Sequence, residues 1–185
     1  MAAHAARISP TLPGVTIAGR ALASLLILAA CAAALASCGG DSAPKRPPAT
    51  AAQRQAYIAK GDAVCAAYNG LARQLRRQLT ARRAQALSQA SLKPYAPPLE
   101  IARDGAKEAL RRFMAIEVPA GDEAAIGRLT ATMAEQAQLL DKLTNATLAD
   151  DTNGFKPLND RLISVGVDER RLARAYGFRE CGSRS

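Results

Sequence analysis

The groups in this chain that could do chemistry are thiols, carboxylates and guanidiniums; its one imidazole is His4. The thiols are Cys31, Cys38, Cys65 and Cys181. A thiol can be acylated, paired in a disulfide or used as a nucleophile. Carboxylates recur at Glu100, Asp104 and Glu108, a spacing that puts them on one helix face, where a cation could sit. Arg103, Lys107, Arg111 and Arg112 interleave with them, so a solvated, ion-paired face is the plainer reading. Asp150-Asp151 could form an acid–base pair, but Thr152-Asn153-Gly154 follows it, which is turn and capping chemistry. Guanidiniums cluster at Arg73, Arg76, Arg77, Arg82 and Arg83. That stripe could meet anionic lipid, an anionic wall polymer or an envelope protein; as a plain charge run it reads as a solvated helix face. No aromatic interleaving supports nucleic acid.

The thiols fall into two contexts. Residues 21–36, ALASLLILAACAAALA, are apolar and uncharged, and Arg7 and Arg20 precede them. Small residues and then GGDSAPKRPPAT follow. A charged start, an apolar run and small residues before a cut describe a secretory signal. The run from 21 to 38 is at the lower limit for crossing a bilayer, so an uncleaved membrane helix is the alternative.

Leu35-Ala36-Ser37-Cys38 resembles the lipobox of bacterial lipoproteins. The resemblance implies that Cys38 receives a diacylglycerol and becomes the first residue of the mature chain. Lipid chains would then hold the protein at the cell membrane, facing outward, at about 0.8 kcal/mol per buried methylene. Leu28-Ala29-Ala30-Cys31 fits the same pattern, but the chain stays apolar after Cys31 and turns polar at once after Cys38. A soluble tether rich in Gly, Pro and charge suits the second site. Removal of residues 1–37 takes His4 with it. That excludes Ser-His-Asp and Cys-His catalysis, His-ligated zinc and Glu-x-x-His di-iron sites. We expect no cofactor and no metal.

With Cys31 removed and Cys38 acylated, Cys65 and Cys181 are the remaining thiols, and an exported chain with an even remainder usually pairs them. The alternative is one buried and one exposed free thiol. An early-helix cysteine and a Gly-x-x-x-Cys ending, here Gly177 to Cys181, also resemble uncharacterised Ala-rich helical lipoproteins of high-GC Gram-positive bacteria. That resemblance implies no activity.

The elements that must position these groups read as helices. The chain is rich in Ala, lacks Trp and has only 4% aromatics, so strand-favouring clusters are few. Thr50 is placed to cap a helix whose stripe is Ile58, Gly61, Cys65, Tyr68, Ala72, Leu75 and Leu79. Prolines break the chain at 94–98; a second helix is expected from about Pro98, with Leu99, Ala102, Ala106, Leu110 and Phe113 inward. Asp122 is placed to cap a third, with Ile126, Leu129, Met133, Leu140, Leu143 and Thr147 inward. Pro157 suits the first turn of a fourth, whose stripe is Phe155, Leu158, Leu162, Val165, Leu172 and Tyr176, ended by Gly177.

The expected fold is an all-α, antiparallel up-down four-helix bundle closed by one disulfide. The expected division is a signal peptide over 1–37, a lipidated tether over 38–50, the bundle over 51–181 and a tail over 182–185. The expected function is a non-enzymatic binding or scaffold module of the cell envelope. The alternatives are a sensory or transport-accessory domain holding a small apolar ligand between helices, and a His-free enzyme using carboxylates.

Overall fold

A computed structural model describes residues 47–183; the signal segment, Cys31 and Cys38 lie outside the described residues. In chain order the described elements are α1 (Ala51–Gln89), a 3-10 turn (Lys93–Tyr95), α2 (Ala96–Met114), α3 (Glu123–Leu148) and α4 (Thr152–Tyr176). The molecule is an all-helical bundle. Among the described residues no helix is long and apolar enough to cross a membrane.

Local chemistry explains the helix ends. Thr50 and Gln53 form a reciprocal capping box that starts α1. Gly177, at φ +111°, closes α4 in the left-handed conformation that glycine adopts without strain. Three ends differ from expectation. The second helix begins at Ala96, so Pro97 and Pro98 lie in its first turn, where a missing N–H costs nothing. The fourth begins at Thr152, because Asp151 accepts the Gly154 N–H and caps it earlier; Pro157 therefore lies inside the helix. Asp122 precedes α3 but makes no cap bond, since its carboxylate is committed to Arg54 and Tyr176.

The helices pack in sequence, α1 on α2, α2 on α3 and α3 on α4, whereas α1 and α4 make no close backbone approach. At one end large rings hold these two apart. Tyr57 of α1 packs edge-on against Phe113 and Tyr176, and Phe178 stacks on Tyr176 at 5.2 Å. These rings, with Ile126, Leu129 and Met133, make the main core. The other half has a thinner core of Ala106, Ala137 and Leu140. Residues 46–185 thus form a compact unit with its own core.

Polar fastenings pin both ends of the bundle. Asp122 accepts Arg54 Nε at 2.8 Å and Tyr176 Oη at 2.8 Å, tying α1, the start of α3 and the end of α4. At the far end Asp150 accepts Leu92 N–H at 2.6 Å and Ser91 Oγ at 2.9 Å, tying the α1–α2 connection to the α3–α4 turn.

Candidate functional site

Between these fastenings the α1–α4 seam stays open as a cleft of about 560 Å³. That volume lies within the usual range for small-molecule sites, about 300–1,000 Å³. One wall is the second half of α1, with Ala72, Leu75 and Leu79; the other is the first half of α4, with Phe155 and Leu162. Leu99, Leu140 and Leu143 form the floor. The residues are those of the predicted stripes, but the walls do not meet. Leu79, Phe155 and Leu162 remain only partly buried, whereas Leu140 and Leu143 beneath them are buried. An apolar occupant would remove this surface from water, at about 25 cal/mol per Å².

The arginine stripe divides around this cleft. Arg76 and Arg83 line it, with Thr80 between them on the same face of α1. Arg82 donates from Nη1 to the Pro94 carbonyl at 3.3 Å, which holds the linker to α1. Arg73 and Arg77 are exposed. Two members of the acid strip on α2 are ion-paired: Asp104 with Arg103 at 2.8 Å, and Glu108 with Arg112 at 2.6 Å and Arg111 at 2.7 Å. Hydrogen bonds from Arg111 and Arg112 lower the Glu108 carboxyl to about 2. Among the described residues no three His, Cys, Asp or Glu side chains gather as metal ligands.

Cys65 and Cys181 form a disulfide with Cα atoms 5.0 Å apart. It fastens a C-terminal hook, residues 177–183, across the top of α1. Asn69 Nδ2 adds bonds to the Glu180 carbonyl at 2.9 Å and to Ser183 Oγ at 3.0 Å. Beneath the disulfide lies a small polar cavity of about 50 Å³, bordered by Tyr68, Asn69, Gln136, Glu169 and Arg170. Burial raises the Glu169 carboxyl to about 7, against the opposing charge of Arg170. Burial, and then the Glu169 charge, raise the Tyr68 phenol to about 12. Tyr68 borders both this cavity and the apolar cleft, so its ring is the partition between them.

Three features escape sequence reasoning. Asp62 accepts the Glu180 N–H and Phe178 packs on Tyr57, each pair more than a hundred positions apart in the chain, so no local pattern marks them. Glu169 lies between Asp168 and Arg170 in a charged run that reads as solvated face. The cleft depends on how far α1 and α4 stand apart, which the stripes alone do not specify. The chain matches no family model, no curated protein and no solved structure.

Proposed function

We propose that this chain is a lipid-anchored, extracytoplasmic binding module that holds an apolar ligand in the cleft between α1 and α4. The observation that carries the reading is a leucine-lined cleft of about 560 Å³ in the half of the bundle where the core is thin. A scaffold without a ligand has no use for an unfilled seam, and packing of Leu79 on Phe155 and Leu162 would stabilise it. Binding rather than catalysis is supported by the lining, which brings together no nucleophile with a base. The Leu35-Ala36-Ser37-Cys38 run supports the anchor and the outward-facing location. Arg73 and Arg77, exposed and not part of the cleft lining, suit the anionic headgroups that such an anchor would bring near.

A neutral, solvatochromic apolar dye tests the cleft. The expected result is saturable one-site binding that Ala72→Trp abolishes by filling the wall, with the helical circular dichroism unchanged. Unsaturable binding, or binding indifferent to Ala72→Trp, removes the reading. Metabolic labelling with palmitate tests the anchor. Cys38→Ala should lose the label and Cys31→Ala should keep it; the reverse result moves the anchor to Cys31.

A further inference from the structure

The charges on the cleft are of one sign. Arg76 and Arg83 line it, and no Asp or Glu does. They are seven positions apart on α1, two helical turns, so both guanidiniums flank the same side of the opening. Asn159, across from them on α4, is polar but uncharged. The cleft's other end, at Tyr68, has no cation lining it and backs onto the buried Glu169 carboxyl. From Tyr68 to Arg83 the wall runs about 22 Å along α1, from the helical rise of 1.5 Å per residue. Arg76 is about 12 Å along it, so a head held between the two arginines leaves about 12–22 Å for a tail, the span of a medium- to long-chain acyl group.

We infer that the ligand is a single-chain amphiphile with an anionic head, its tail lying toward Tyr68 and its head at Arg76 and Arg83. The inference rests on the proposed binding reading and names its ligand class. An apolar wall binds the tail without regard to the head. The guanidiniums add bidentate, charge-assisted hydrogen bonds that a carboxylate or phosphate accepts in full and a hydroxyl only in part. An ammonium head would meet two like charges at the same place. Carboxylate and phosphate heads share this chemistry, so both belong in the test.

The test uses the full chain and the compact unit of residues 46–185, each loaded with the same neutral dye. Palmitate, hexadecyl phosphate, hexadecanol and hexadecylamine are the competitors. Palmitate or hexadecyl phosphate should displace the dye at a concentration about tenfold below that of hexadecanol, a ratio equivalent to about 1.4 kcal/mol. Hexadecylamine should be the weakest. The double substitution Arg76→Gln and Arg83→Gln lies on the surface and should bring the anionic competitors to the level of hexadecanol, leaving hexadecanol itself unchanged. Which anion falls furthest identifies the head. Equal displacement by palmitate, hexadecyl phosphate and hexadecanol in the unaltered protein overturns the inference and leaves the apolar cleft standing. Anionic preference that survives the double substitution overturns it too. If the double variant loses binding to anionic vesicles while its preference for palmitate is intact, the arginines serve the membrane surface instead. Failure of all four competitors to displace a saturably bound dye overturns the inference as well, whereas loss of saturable dye binding removes the binding reading itself.

Discussion

Asp62 Oδ1 accepts the backbone N–H of Glu180 at 2.8 Å, one helical turn before the cysteine that holds the same hook covalently. The Asp62 carboxylate also accepts the N–H groups of Arg179 at 3.1 Å and Cys181 at 3.3 Å. Three successive amides of a segment with no helix of its own thus find one acceptor. Without it they would face the flank of α1 unpaired. Asp62→Ala should therefore cost about 1.5–3 kcal/mol, the range for hydrogen bonds to a charged group. Urea denaturation with the disulfide intact measures the cost. Hydrogen exchange at Arg179, Glu180 and Cys181 should accelerate while the amides of α3 stay protected. A variant with unchanged exchange at those three amides would contradict this role.

The disulfide acts on the unfolded chain rather than on the hook alone. It closes a loop of 116 residues. Restricting so long a loop stabilises the fold by about 4–5 kcal/mol from chain entropy, although disulfides often deliver less. The double substitution Cys65→Ala and Cys181→Ala should lower the urea midpoint by the equivalent of about 2–5 kcal/mol. The loss should exceed that of Asp62→Ala, and reductant should destabilise the parent protein but not the double variant. Equal response of both proteins to reductant would show that the bond is not what reductant attacks.

Much of this architecture is written in local patterns. The stripe through Cys65, Tyr68 and Leu75 marks one side of α1, and Thr50 and Gly177 mark helix ends through the chemistry that any cap requires. The Cys65–Cys181 pair follows from counting thiols once export and acylation of Cys38 are expected. What stays hidden is set by tertiary distance. Tyr57 is next to Ile58 and off the predicted stripe, yet it is the more buried of the two, because Phe178 returns from beyond α4 to cover it. Pro157 reads as a helix start, but Asp151 captures the Gly154 N–H and starts the helix at Thr152, five residues before the proline. Arg76 and Arg77 are adjacent in a charge run, yet only Arg76 lines the cleft. That division depends on where α4 passes.

Gly61 shows how closely the hook approaches. A Cβ at this position would stand 2.5 Å from a Phe178 ring carbon and 2.9 Å from one of Phe113. Both rings are buried and packed against each other and against Tyr57, so neither can swing away. Gly61→Ala gains about 1 kcal/mol of helix propensity. It loses about 1–3 kcal/mol by overpacking, and with two rings to displace the loss wins. Thermal unfolding should show net destabilisation. Phe178→Leu in the same background should recover part of it by making room, which a purely local helix effect would not allow. A Gly61→Ala protein more stable than the parent would refute the close approach.

Glu169 makes stability depend on pH in the opposite direction from the hydrogen-bonded carboxylates Asp150 and Asp122. Hydrogen bonds from Leu92 and Ser91 lower the Asp150 carboxyl below its ordinary value of 3.8, and Arg54 does the same for Asp122. Their stabilisation is present above the ordinary value and is lost as pH falls through the lowered one. Burial instead raises Glu169 from 4.5 to about 7. Between those values the folded protein holds a proton that the unfolded chain has released. Stability therefore falls as pH rises from 4.5 to about 7 and levels off above. At about 1.4 kcal/mol per tenfold change in proton affinity, the whole fall is about 3–4 kcal/mol. Glu169→Gln keeps the shape and removes the charge, so its urea midpoint should change little over this window and exceed that of the parent at pH 8. The two proteins should converge near pH 4.5, where Glu169 is protonated in the fold. Parallel curves across the whole range would mean that the carboxyl is not held in the cavity beneath the disulfide. Because Tyr68 separates that cavity from the cleft, the same titration read through the apolar dye should also register there, as weaker dye binding above pH 7 in the parent and none of that weakening in Glu169→Gln.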